Sequence, residues 1–247
     1  MKIVVTVPTY NEAENIEALV TAILEQDPRI EVLVADDNSP DGTALLVRKL
    51  AIASGRVQLL LRTTDRGRGR AGRDAFVRAL ATGAELVFEM DADFSHDPRH
   101  LPEMIAALQR YDVVLGSRHV PGGADIGRPA WRRGLTWMSN LYVRTVLGLP
   151  VRDCNSGYRG WRRHALMVID VGRAFSPGPA IVHELLYKAH VRGQRLGEVP
   201  IQFKERVRGT STLSFATLAR SYVTVLRLRW LALLHRLFAR RAEEPAA

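Results

Sequence analysis

Disulfide chemistry is excluded first: the chain holds a single cysteine, Cys154, so no intrachain bridge can form and no cysteine cluster can bind zinc. Packing is its expected role. Long apolar runs are also missing, because arginines interrupt even the most apolar C-terminal stretch before it reaches the roughly 18 residues of a membrane-crossing helix. The opening MKIVVTVPTYNE passes directly into a strand-forming segment. No signal-like apolar run precedes it, so secretion is not implied. Aromatic residues make up only 7% of the chain, and neither the stacking sheet nor the recognition helix of a nucleic-acid binder is apparent. Acid is in short supply. The 26 Asp and Glu stand against 35 Lys and Arg, and the net charge of +9 suits an anionic partner such as a phosphorylated substrate or acidic lipid.

At 247 residues and 47% hydrophobic content, the chain can bury one large α/β core. Short apolar, β-branched runs at Lys2 to Val7, Glu31 to Ala35, Val57 to Leu61, Leu86 to Met90, Val113 to Gly116 and Glu198 to Phe203 predict strands. Pro8 is expected to end the first. Helical spacing marks Asn15 to Leu24, Ala44 to Ala53, Phe76 to Ala84, Leu101 to Gln109, Trp131 to Leu147 and the region from His183 to Arg192. Strands alternating with helices predict right-handed crossovers and a mostly parallel sheet flanked by helices. No internal repeat is present.

Phe215 to Arg241 reads as a C-terminal amphipathic helix. Leu218, Tyr222, Leu226, Trp230, Leu233, Leu234 and Leu237 share one broad face, Arg229, Arg236 and Arg240 line one border, and Arg220, Arg227 and Arg241 line the other. Such a helix suits a membrane surface, with arginine heads among phosphates. It equally suits packing on the domain or in a dimer; Leu228 and Leu231 stray onto the remaining face.

The stretch Leu86 to Pro98 (LVFEMDADFSHDP) carries the strongest chemical signal. A buried strand ends in two carboxylates one residue apart, Asp91 and Asp93, where parallel sheets gather their ligands. Mg²⁺ or Mn²⁺ bridging a diphosphate would use one or two such carboxylates, although Asp-x-Asp alone is also an ordinary polar turn. Arg66 to Arg73 (RGRGRAGR) reads as a mobile cationic loop, either a solvated linker or a flap closing on phosphates.

Five motifs in order resemble the family 2 glycosyltransferases: Pro8-Thr9-Tyr10-Asn11-Glu12, Asp36 to Thr43 (DDNSPDGT), Asp91-Ala92-Asp93-Phe94-Ser95-His96, Gly116-Ser117-Arg118, and Asn155-Ser156-Gly157-Tyr158-Arg159. Within the family they are most similar to the dolichol-phosphate, or polyprenol-phosphate, mannose synthases. The resemblance implies a Rossmann-like GT-A domain over residues 1–212, with residues 213–247 as an appended helix and tail. It implies transfer of mannose from GDP-mannose to a polyprenyl phosphate, with inversion, by a peripheral enzyme on the cytoplasmic face of a membrane. By the same matching, Pro8, Tyr10, Glu12, Ala35 and Asp37 contact the donor. Asp91, Ala92 and Asp93 form the diphosphate and metal segment, with Asp93 the direct ligand and Asp91 either binding the metal through water or contacting the sugar. Arg118 and Arg206 meet phosphates. His96 is expected to order its loop and not to act as a base. Thr212 replaces a family lysine, and Ser95 stands where some members have glutamine. A UDP-glucose-dependent relative and a catalytically silent nucleotide-sugar-binding subunit are the alternatives.

Overall fold

The computed structural model describes residues 1–176, 178–204 and 220–231. Arg206, Thr212, the expected domain boundary and much of the C-terminal helix lie outside them. In chain order, the first half runs β1 (Ile3–Thr9), α1 (Ile16–Leu24), β2 (Ile30–Asp36), α2 (Thr43–Ser54), β3 (Val57–Leu61), α3 (Arg68–Ala81), β4 (Leu86–Glu89) and α4 (Leu101–Ala107). The second half runs β5 (Val113–Ser117), β6 (Ala124–Ile126), α5 (Ala130–Leu147), β7 (Arg159–Arg162), α6 (Arg163–Val168), α7 (Ile181–Val191), β8 (Leu196–Pro200) and β9 (Gln202–Lys204). Residues 220–231 are helical.

Every residue of β1 is buried, and the two-residue period of a strand divides them between two layers. Ile3, Val5 and Val7 pack with Ile16, Leu19, Val20 and Ile23 of α1, whereas Val4 faces Ala75, Phe76 and Ala79 of α3. A sheet with helices on both sides requires such strands. Among the described residues the main sheet has the order β3-β2-β1-β4-β7-β5-β8, and β6 pairs with β9 in a separate ribbon. The main sheet is parallel except where β7 runs antiparallel between β4 and β5. This is the expected mostly parallel α/β fold.

Four expectations are corrected. Pro8 does not end β1 but pairs with Ala35 inside it. The backbone of Thr6 and of alternate residues such as Pro8 faces β4, whose last paired residue, Glu89, lies opposite Thr6. No ladder bond is lost at Pro8. The cationic run is not a mobile loop, since Arg68 to Arg73 form the first turns of α3 with Gly69, Ala71 and Gly72 buried. The expected last strand is two strands: Ile201 divides β8 from β9, its N–H donating to Ser117 O while its carbonyl accepts from Ala124 N.

The fourth correction matters most for function. No strand is expected at Arg159 to Arg162, yet Arg159 opens β7 and pairs with Glu89. Gly160 permits this close packing, because a Cβ there would lie 2.5 Å from the Phe88 ring. Antiparallel β7 thereby brings the turn that precedes it to the carboxyl end of β4. Motifs far apart in sequence become neighbours.

Candidate active site

β4 delivers Asp91 and Asp93 to the opening by a turn in which Phe94 takes a left-handed φ of 59°. Ser95 N–H donates to Asp93 Oδ1 at 3.0 Å, closing the turn on itself. Asp93 is buried, while the Asp91 side chain is 39% exposed. Ala92 is buried between them. Asp91 N–H donates to His96 Nδ1 at 3.1 Å, so this nitrogen carries no proton. Burial holds the His96 pKa below its ordinary value, outweighing the attraction of Asp91 and Asp93. His96 stacks on Tyr158 with ring centroids 5.1 Å apart. It orders the turn, as expected.

A second wall comes from β1 and β2. Tyr10 is exposed, with the Arg66 guanidinium 5.1 Å over its ring. Glu12 N–H donates to Thr43 Oγ1, and Asn15 Nδ2 donates to Glu12 Oε2, each at 3.0 Å. Asp37 is held from two sides: Arg62 donates to its Oδ1, and Gly67 N–H to its Oδ2 at 2.7 Å. Asp36 braces the turn by accepting from Thr9 Oγ1 and Ser39 Oγ. Ala35 is different. It is wholly buried in the core layer beneath α3, so the structure does not bring its side chain to the opening with Tyr10, Glu12, Asp37, Asp91 and Asp93.

Arg118 follows β5, and one edge of its fork is filled. Nε and Nη2 donate to Asp153 at 2.7 and 2.8 Å, and the Arg118 N–H adds a third bond to the same carboxylate. Nη1 faces Asp125 at 3.9 Å, and the Phe203 ring lies 5.0 Å from the guanidinium carbon. Burial pushes the Asp153 carboxyl upward, but bonding to Arg118 wins and holds it below its ordinary range. Asp153 thus takes the Nε–Nη2 edge of the guanidinium, which leaves its remaining N–H groups for the expected phosphate contact.

Sequence reading passed over Arg68, whose Nη2 donates to Asp91 Oδ1 at 3.0 Å and whose Nη1 donates to Glu89 at 2.5 Å. Glu89 was the available signal. An acid inside the otherwise apolar run LVFEM needs a buried cation. Asn155, from the fifth motif, ties together α5 and α7: its N–H donates to Asn140, its Nδ2 to Ser139, and its Oδ1 accepts from His183. Cys154 is buried, and its thiol is pushed up to about 12, chiefly by burial. It is packing, as expected.

The outer surface carries an apolar face that the sequence reading did not place. On α5, Trp131, Leu135, Trp137, Met138 and Leu141 are exposed. The 220–231 helix joins it through Tyr142, whose hydroxyl donates to Tyr222 O at 3.2 Å. On that helix Val225 and Leu228 pack into the core, whereas Leu226 and Trp230 face outward. Leu228, the apparent stray, is thus a docking residue. No helix among the described residues is long and apolar enough to cross a membrane.

Residues 4–169 match the model described as glycosyl transferase family 2. The chain is 37% identical over 241 residues to the undecaprenyl-phosphate mannosyltransferase of Micrococcus luteus, covering 96% of this chain and 99% of that protein. It is 40% identical over 213 residues to the polyprenol monophosphomannose synthase of Mycolicibacterium smegmatis, covering 85% of this chain and 80% of that protein. Among solved structures, glucosyl-3-phosphoglycerate synthase of Mycobacterium tuberculosis, in complex with Mn²⁺, UDP and phosphoglyceric acid, has a TM-score of 0.69 at 21% identity, covering 92% of this chain and 78% of that one. That likeness is one of fold. The chain belongs to glycosyl transferase family 2, and it is a glycosyltransferase with a GT-A-like fold.

Proposed function

We propose that this enzyme transfers mannose from GDP-mannose to a polyprenyl phosphate with inversion, using Mg²⁺ or Mn²⁺. The observation that carries the reading is the end-to-end similarity to an undecaprenyl-phosphate mannosyltransferase in a chain whose Arg66, Gly67 and Arg68 link Tyr10, Asp37 and Asp91. The donor set fits a hard cation. Among the described residues no cluster of three or more His, Cys, Asp or Glu is arranged to hold a metal unaided, and a cation on Asp93 and Asp91 would complete its shell with phosphate oxygens and water. Bound there, the metal would offset charge on the departing diphosphate.

The chain's own residues then do the positioning. Pro8, Tyr10, Glu12 and Asp37 hold the nucleoside end, and Asp91, at the open side of the turn, meets the sugar. Arg118, fixed by Asp153, contributes a positive field near the phosphates. Arg206 is assigned a direct phosphate contact on its motif position alone. A phosphate-monoester oxygen attacks the sugar carbon, whose bond to the diphosphate oxygen breaks, and GDP leaves. The nucleophile is already anionic at neutral pH, so no strong base is required. His96 is not available as one, since Asp91 N–H occupies its Nδ1.

Isothermal titration of GDP-mannose, GDP and UDP-glucose, with Mn²⁺ and with chelator, tests the donor, and radiolabel transfer to polyprenyl phosphate tests the acceptor. Metal-dependent binding of the guanosine ligands and label in the lipid fraction are expected. Binding of UDP-glucose alone would replace the mannose assignment, and donor binding without transfer to lipid would favour a silent subunit.

The exposed face of α5 and the 220–231 helix supplies the contact with the membrane that holds such an acceptor, as a peripheral attachment on its cytoplasmic face. Tryptophans 131, 137 and 230, among Arg132, Arg133, Arg227 and Arg229, match an interface of acyl chains and anionic headgroups. Replacing Trp137 and Trp230 together with serine is expected to reduce flotation with anionic vesicles about tenfold, if each loses roughly 0.7 kcal/mol of transfer energy. Equal flotation of the variant and the parent would reject this surface.

A further inference from the structure

Glu89 is 2% exposed, and a carboxylate so deep in a sheet requires a permanent counter-charge. Arg68 supplies it from the first turn of α3, and the same guanidinium continues to Asp91, spanning the buried acid and the open one. Gly72 makes room for it, since a Cβ there would sit 2.8 Å from Glu89 Oε1 and 3.3 Å from Arg68 Nη1; Gly157 lies on the other side, where a Cβ would be in ordinary contact with Asp91 Oδ2 and Arg68 Nη2 at 3.5 and 3.8 Å. The side chain is therefore seated between α3 and the turn before β7, and does not lie along the surface. Burial opposes its charge, but Glu89 and Asp91 together outweigh that and raise its pKa.

We infer that Arg68 is a resident counter-cation that competes with the divalent metal for the Asp91 carboxylate. The inference rests on the reading that Asp91 and Asp93 hold that metal. A positive group 3.0 Å from Asp91 Oδ1 repels an incoming cation and shares the electron density the cation needs. Metal affinity in the donor-free enzyme is weak as a result. The donor's diphosphate brings negative charge of its own, so metal and nucleotide sugar enter together. Arg68 is a positioning residue in this scheme, because it acts on the reaction only through Asp91.

The test uses Mn²⁺ alone, with free ion counted by electron paramagnetic resonance during titration of the full-length protein. In Arg68→Met/Glu89→Gln one positive and one negative charge are removed together. The local net charge stays as it was, no buried charge is left without its partner, and Asp91 loses its contact with the guanidinium. This variant is expected to bind Mn²⁺ about fivefold more tightly than the parent, the worth of a partly exposed ion pair, and GDP is expected to shrink the difference. Glu89→Gln alone, which leaves the guanidinium entirely to Asp91, is expected to bind Mn²⁺ about fivefold more weakly. Asp93→Ala serves as the site control, and circular dichroism melting confirms folding of each variant. Equal affinity in the parent and the double variant, with binding lost in Asp93→Ala, would overturn the role of Arg68 and leave the metal site standing. Mn²⁺ binding unmoved by Asp93→Ala would overturn both.

Discussion

Asp93→Ala is expected to lower sugar transfer by about a thousandfold, the loss of roughly 4 kcal/mol of transition-state stabilisation when a metal anchor is removed. The fold should survive. Asp93 is buried, but it lies beyond the last residue of β4, and Ser95 N–H donates to its Oδ1 in a turn outside the sheet, so no ladder bond of the sheet depends on its carboxylate. The two effects are therefore separable by initial rates at saturating Mn²⁺ and by urea unfolding of the same preparation. A variant within tenfold of the parent rate would remove Asp93 from the proposed chemistry. A variant that is inactive because it is unfolded would instead assign Asp93 to the architecture of the turn.

The layers of this fold were legible because they are local. Residues 3 to 7 alternate between two faces, and Ile16, Leu19, Val20 and Ile23 recur at helical spacing, so neither assignment needs knowledge of a distant residue. The acidic turn was legible for the same reason: its carboxylates follow directly from the strand that carries them. β7 was not, because RGWR is short, begins and ends in arginine, and is a strand only by virtue of lying between β4 and β5. Arginine and glycine in alternation likewise suggest a loop until Glu89 is placed beneath them. Gly72 is then the space for that acid, and Arg68 its counter-charge. Long-range compensation of this kind leaves only one half of the pair visible at a time. Arg118 shows the converse, since a motif position identified the residue but could not reveal that Asp153, 35 residues later, bonds one edge of its guanidinium.

That ion pair carries the largest expected effect on stability. Asp153 accepts from Arg118 Nε, Nη2 and N–H, and its side chain is fully buried against a guanidinium only 7% exposed. Asp153→Ala leaves a buried positive charge without its partner, and such a loss costs about 3–5 kcal/mol, a large share of the roughly 5–15 kcal/mol that holds a domain together. Urea unfolding should show a lowered midpoint with an unchanged slope. The double variant Arg118→Met/Asp153→Asn removes both charges while the amide oxygen still accepts from the residue 118 N–H, so it is expected to recover most of the lost stability. Its activity then reports on Arg118 itself, free of the cost of an orphaned charge. If the positive field of Arg118 acts on the phosphates, the stable double variant is expected to turn over about tenfold more slowly than the parent, a loss of ~1.4 kcal/mol. Parental stability in Asp153→Ala would mean that water reaches Arg118 and that the pair is not structural. Parental turnover in the stable double variant would confine Arg118 to holding β5 against the turn that precedes β7.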